Sequence, residues 1–166
     1  MGGPRTPERA VLDARRARLV AADLLSRHAW TRAELIRRLR RRGAPPEVAD
    51  EVVSDLAGRG HVDDAAFARQ WVETRATRGY GAARLRAELS MRGVASRLID
   101  AALGELTTAR TLEGARAVAA RRLPALSRVD PTRAAARLRD HLLRRGYAAG
   151  VVARVVRDVL NVRPDD

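Results

Sequence analysis

Apolar positions recur at helical spacing along this chain, and the same arrangement appears three times. Leu35/Leu39, Leu85/Leu89 and Leu138/Leu142 are pairs four residues apart, one turn on one face of a helix. Each pair is followed at the same distance by a glycine: Gly43, Gly93 or Gly146. A second apolar stripe follows each glycine: Val48, Val52, Val53 and Leu56; then Leu98, Ala102, Leu103 and Leu106; then Val151, Val155, Val156 and Val159. This pattern predicts a helix, a left-handed glycine stop and another helix, in three copies 50 to 53 residues apart. The match extends beyond the apolar positions. "AARLRAELSMRG" (82–93) and "AARLRDHLLRRG" (135–146) agree at eight of twelve positions, and "RAELIRRLRRRG" (32–43) keeps both leucines and the Arg-Gly ending.

Polar residues mark the predicted ends. Thr31 with Glu34 has the spacing of a capping box, and Asp130-Pro131 that of an N-cap followed by a first-turn proline. Pro46 in "APPE" suits the first position of the helix after Gly43, while Gly79 and Gly81 make the turn before the second copy. A further helix is expected ahead of each pair. The first runs roughly from Pro7 to Arg27, capped by Thr6 and packing through Leu19, Val20 and Leu24. The second is "DDAAFARQWVETRAT", with Asp63 as cap, Asp64 in the first turn, and Phe67, Trp71 and Val72 inward. The third runs from about Thr111 to Arg122, with Val118 and Leu123 inward and Pro124 stopping it. The three extra residues of the second period fall in "LPALSRVDP".

The expected fold class is therefore all-α: three tandem three-helix, helix-turn-helix-like repeats forming an elongated, curved body. The expected divisions are residues 1–57, an N-terminal extension plus the first repeat, then 58–106 and 107–166. Composition agrees. Hydrophobic residues make up 46% of 166, yet only Trp30, Phe67, Trp71, Tyr80 and Tyr147 are aromatic, so Leu, Val and Ala supply the packing.

Charge adds a functional constraint. All 33 basic residues are Arg against 20 acids, a net +13, which suits a polyanionic partner, whether nucleic acid or an acidic protein groove. Residues 107–166 carry the largest share, 13 Arg against 6 acids. On a wheel of about 100° per residue, Arg37, Arg38, Arg41, Arg84, Arg137 and Arg144 fall in the sector away from the leucines. Arg42, Arg92 and Arg145 recur beside the glycines, where a cation also favours the helix dipole. The candidate binding residues are Arg37, Arg38, Arg41, Arg84, Arg92, Arg137, Arg144 and Arg145.

Catalytic chemistry is not suggested. There is no cysteine, which excludes disulfides and thiolate metal sites. His28, His61 and His141 are scattered, "RGYGAAR" has two glycines but no strand before it, and no phosphate-loop motif occurs. No enzyme, cofactor or metal is expected. No apolar run is long enough to span a membrane, so a cytoplasmic monomer is the expectation.

Three segments together resemble the RecX regulators of bacterial recombination: "TRAELIRRLRRRG" (31–43), "GHVDDAAFARQWV" (60–72) and "RGYGAARLRAELSMRGV" (78–94). His61 stands where that family usually has tyrosine or a similar residue, and the third repeat follows the pattern more loosely. The resemblance implies tandem three-helix repeats. It also implies a partner, the RecA recombinase filament on DNA, whose growth, ATP hydrolysis, strand exchange and co-protease activity such proteins restrain. Two other readings fit the basic helices. One is a helix-turn-helix transcriptional regulator reading duplex DNA; the other is a non-specific binder of single- or double-stranded nucleic acid.

Overall fold

The computed structural model describes residues 11–160. These residues form nine α-helices and no strand: α1 (Ala14–Arg27), α2 (Arg32–Arg41), α3 (Pro46–Gly58), α4 (Asp64–Thr77), α5 (Ala82–Met91), α6 (Ser96–Gly104), α7 (Thr108–Arg122), α8 (Pro131–Arg144) and α9 (Ala149–Leu160). A single 3-10 turn, Leu123–Leu126, follows α7 inside the segment expected to hold the extra residues.

Most helix starts are where capping chemistry puts them. Thr31 Oγ1 accepts from the Glu34 amide while the Glu34 carboxylate accepts from the Thr31 amide, a complete capping box. Asp63 Oδ1 accepts from the amides of Ala65 and Ala66 at 2.9 Å, Asp130 caps α8, and Pro46 opens α3. Two starts differ from expectation. Residues 11–13 are not helical, and α1 begins at Ala14 because Asp13 accepts from the Arg16 amide at 2.8 Å; the expected Thr6 cap and Pro7 start lie outside the described residues. α7 begins at Thr108 rather than Thr111, because Thr107 Oγ1 accepts from the Arg110 amide.

The repeat glycines close α2, α5 and α8 with φ of 98°, 81° and 87°. At Gly43 and Gly146 two backbone bonds complete the stop: the glycine amide donates three residues back, and the next amide donates five residues back, to Leu39 or Leu142. The residue after each glycine then turns inward. Ala44, Val94 and Tyr147 are all 5% exposed. The six paired leucines are fully buried, and Ala49, Ile99 and Val152, at one shared offset, join the inner face of the following helix.

Four inward assignments need correction. Leu19 is 66% exposed; the buried line of α1 is Ala17, Ala21 and Leu24, a register that turns Leu19 to solvent. Phe67 and Trp71 are half-buried, and Ala68 and Val72 form the inner line of α4, where alanine permits closer approach than an aromatic ring. Leu123 is half-buried because the 3-10 turn carries Leu126 into the core instead.

The described chain divides into two compact units. The first ends at Phe67 and includes Arg92–Val94; the second comprises Ala68–Met91 and the residues from Ala95 onward. The first has a core of α1–α3 side chains closed by Trp30, whose Nε1 donates to the Leu24 carbonyl, and by Val62. The second has a core built on α7, α8 and α9, including Leu112, Leu138, Leu142, Tyr147 and Val155.

Within each unit an Arg-Gly ending meets the start of an earlier helix. In the first, Thr31 Oγ1 donates to the Arg92 carbonyl at 2.7 Å, and a Cβ on Gly93 would overlap Ala33 Cβ. In the second, the amides of Gly81 and Ala83 donate to the carbonyls of Arg145 and Gly146 at 2.8 and 3.1 Å. Gly81 stands one repeat after Thr31, so the same junction is made once by a side chain and once by backbone. Replacing Gly93 by valine combines positive φ with a steric overlap and is expected to cost more than about 2 kcal/mol. An unchanged thermal midpoint for Gly93→Val would refute this packing. Thr31→Ala removes the cap and the donation to Arg92 and is expected to cost about 1–2 kcal/mol. Thr31→Ser, which keeps the hydroxyl, should recover most of that loss in denaturant titrations.

Candidate functional site

The eight candidate arginines separate into two groups. Arg37, Arg41, Arg137 and Arg144 are exposed and form no ion pair with another described residue. Arg37 and Arg41 lie one turn apart on α2; Arg137 and Arg144 lie two turns apart on α8, so each pair shares a face. Such side chains keep their donors available to a partner at little desolvation cost.

The remaining four are engaged inside the protein. The Arg38 guanidinium lies 3.7 Å from the centre of the Trp30 ring, a cation–π contact on the edge of the first core. Arg84 pairs with Glu88 at 3.0 Å and covers Tyr80. Arg92 pairs with Glu34 at 2.5 Å, beside the Thr31 junction. Arg145 donates to the Arg78 carbonyl at 3.0 Å and approaches Tyr80. The wheel contains a signal for the last two: Arg92 and Arg145 fall within about 20° of the first leucine of their helices, on the inner side. Sequence distance hid their partners, which lie 58 and 67 residues away.

Repeat two differs from its neighbours in a way the wheel shows only in part. Its Arg84 is neutralised by Glu88, and Met91 takes the position of Arg41 and Arg144, standing 74% exposed. Glu88 gathers several donors: Trp71 Nε1 at 3.1 Å, Arg84 at 3.0 Å and Arg75 at 3.8 Å. Arg75 also lies over Trp71. This network ties Trp71, Arg75 and Arg84 of repeat two to one carboxylate.

The third repeat keeps its positive field. Burial and then the neighbouring Arg145, Arg122 and Arg144 push the His141 imidazole below its ordinary range. Burial raises the Tyr147 phenol despite the opposing charges of Arg145 and Arg121. Two surface ties join helices in the second unit, Arg110–Glu73 and Arg116–Asp158, both at 2.8 Å; a hydrogen bond from arginine lowers the acid in each. Among the described residues no cluster of three or more His, Asp or Glu could hold a metal ion, and no helix is long and apolar enough to cross a membrane.

The fold thus defines a protein of tandem three-helix domains whose unneutralised charge is arginine on helix faces. Family models match in the same order: the first three-helix domain of RecX over residues 17–56 and the second over 63–103. The regulatory protein RecX of Thermobifida fusca is 42% identical over 96% of this chain and 85% of its own length. That of Streptomyces coelicolor is 40% identical over 90% of this chain and 80% of its own. A crystal structure of RecX from Lactobacillus salivarius superposes with a TM-score of 0.83, covering 90% of this chain and 98% of that one, at 18% identity. The chain belongs to the RecX family of regulatory proteins.

His141 gives a pH dependence whose sign is fixed. Its folded-state pKa is depressed, so its contribution is present above the unfolded value and is lost as pH falls, because the unfolded chain takes the proton more readily. Thermal stability should therefore decline below about pH 6.5. The decline between there and the carboxylate range should be shallower in His141→Gln; equal slopes would remove His141 as a contributor.

Proposed function

We propose that this protein binds the RecA filament assembled on DNA and inhibits its recombinase, ATPase and co-protease activities. The observation that carries the reading is the two pairs of exposed arginines that form no ion pair with a described residue, Arg37/Arg41 on α2 and Arg137/Arg144 on α8, in a member of the RecX family. Exposed arginines of this kind steer association with an anionic partner and set register more than they add stability. On this reading the chain acts as a monomer in the cytoplasm, without cofactor, through the repeats 1–57, 58–106 and 107–166. Arg38, Arg84, Arg92 and Arg145 support those faces rather than form them.

The expected result is slowed DNA-dependent ATP hydrolysis by RecA at fewer copies than RecA monomers, because blocking growth at one place affects many later subunits. The double variant Arg137→Glu, Arg144→Glu should keep its helical circular dichroism and lose at least about tenfold in inhibitory potency, since neither side chain is buried. Full potency in that variant would move the interface away from α8. A palindromic consensus from duplex selection, with RecA turnover unaffected, would establish a helix-turn-helix repressor instead.

A further inference from the structure

Of the three Arg-Gly helix endings, two already hold the first turn of another helix. At the end of α5 the Arg92 carbonyl accepts from Thr31 Oγ1 at 2.7 Å, Gly93 lies against Ala33, and the Arg92 side chain pairs with Glu34. Thr31, Ala33 and Glu34 are the N-cap, second and third positions of α2. At the end of α8 the carbonyls of Arg145 and Gly146 accept from the amides of Gly81 and Ala83, the residue before α5 and its second position. The Arg145 guanidinium reaches the carbonyls of Arg78 and Gly79 just ahead of that turn. Both junctions join open carbonyls at a helix end to a donor at a helix start, with alanine at the second position and an arginine gripping the docked segment.

The third ending, at α2, is half filled. The Gly43 carbonyl accepts from the Leu12 amide at 3.0 Å, as Gly146 accepts from Ala83, but Leu12 belongs to a non-helical stretch. The Arg42 carbonyl is the counterpart of the two that take Thr31 and Gly81, yet it accepts from no described residue. Pro45 and Pro46, which follow, have no N–H to offer. The Arg42 side chain is exposed and forms no ion pair with a described residue, whereas Arg92 and Arg145 are half-buried. One backbone acceptor and one guanidinium are thus unused at the end of α2, and both are used at the other two endings.

We propose that the end of α2 is a docking site for the first turn of a helix on a partner protein. The helix that fits has Thr, Ser or Gly as N-cap, alanine second and an acid third. Its cap donates to the Arg42 carbonyl, its alanine lies against Gly43, and its acid pairs with Arg42 as Glu34 pairs with Arg92. A second copy of this chain fits less well. The starts of α2 and α5 are taken, and α7, with Thr107 as cap and Ala109 second, places Arg110 third, a charge like that of Arg42. The site does not depend on the filament-binding reading, which rests on Arg37, Arg41, Arg137 and Arg144.

The test is chemical-shift titration of the full chain, without RecA, using hydrocarbon-stapled helical peptides of about 16 residues, long enough to hold a helix. The first peptide opens Thr-Ala-Ala-Glu; the others open Val-Ala-Ala-Glu, Thr-Ala-Leu-Glu and Thr-Ala-Ala-Arg and are otherwise identical. With the first, the amides of Gly43 and Ala44 and the carbonyl carbon of Arg42 should move together and saturate. Each of the other three should bind at least about threefold more weakly, the scale of one hydrogen bond, one steric overlap or one exposed ion pair. Arg42→Gln should erase the preference for glutamate over arginine at the third position while the spectrum stays folded. Arg137→Gln should leave all four affinities unchanged. Fixed signals at Gly43 and Ala44, equal binding of all four peptides, or a glutamate preference that survives Arg42→Gln would each overturn the proposal. Concentration-dependent broadening of Gly43 and Ala44 without peptide would overturn it too, by assigning the site to a second copy.

Discussion

The left-handed glycine at the end of α2, α5 and α8 is the constraint on which the remaining structure rests. It stops a helix in one residue, and it aims the next side chain, Ala44, Val94 or Tyr147, into the protein. It also leaves the carbonyls of the Arg-Gly ending pointing outward. Those carbonyls are acceptors that a helix C-terminus cannot satisfy internally, and four of the six find a donor elsewhere: Thr31 for Arg92, Gly81 for Arg145, Ala83 for Gly146, and the Leu12 amide for Gly43. At Gly93 and Gly146 the missing Cβ then lets the donor helix approach. One conformational requirement thus serves helix termination, core entry and docking.

That economy explains why so much of the fold was legible in the sequence. Leu35, Leu39 and their counterparts repeat with helical periodicity, and Thr31, Asp63 and Asp130 act within three residues of themselves, so local rules reach them. The failures have a common physical cause. Leu19, Phe67 and Trp71 are large and apolar, and hydropathy alone assigns them inward. The inner lines of α1 and α4 are instead drawn by alanine, whose small side chain carries little hydropathic signal and allows close packing.

The arginines show the same limit from the polar side. Composition gives their number and the wheel their sector, but neither says which charge is already used. Arg92 and Arg145 serve junctions with residues more than fifty positions away, and Arg38 covers an indole. Only contacts distinguish a cation that holds the protein together from one left for a partner. By that measure repeat two is the inward-looking member. Glu88 and Glu34 consume its Arg84 and Arg92, and Met91 replaces the arginine that the other repeats expose.

The two versions of the helix junction differ in how they respond to mutation over evolutionary time. Where Thr31 makes the bond, the donor is a side-chain hydroxyl, which among replacements of similar size only serine keeps. Where Gly81 makes it, the donor is an amide that every residue except proline possesses, so chemistry is safe while space is not: a Cβ would strike the Gly146 carbonyl. The first junction is thus policed by hydroxyl identity and the second by size. Drift is therefore channelled differently at the two sites, toward serine at position 31 and toward no change at position 81.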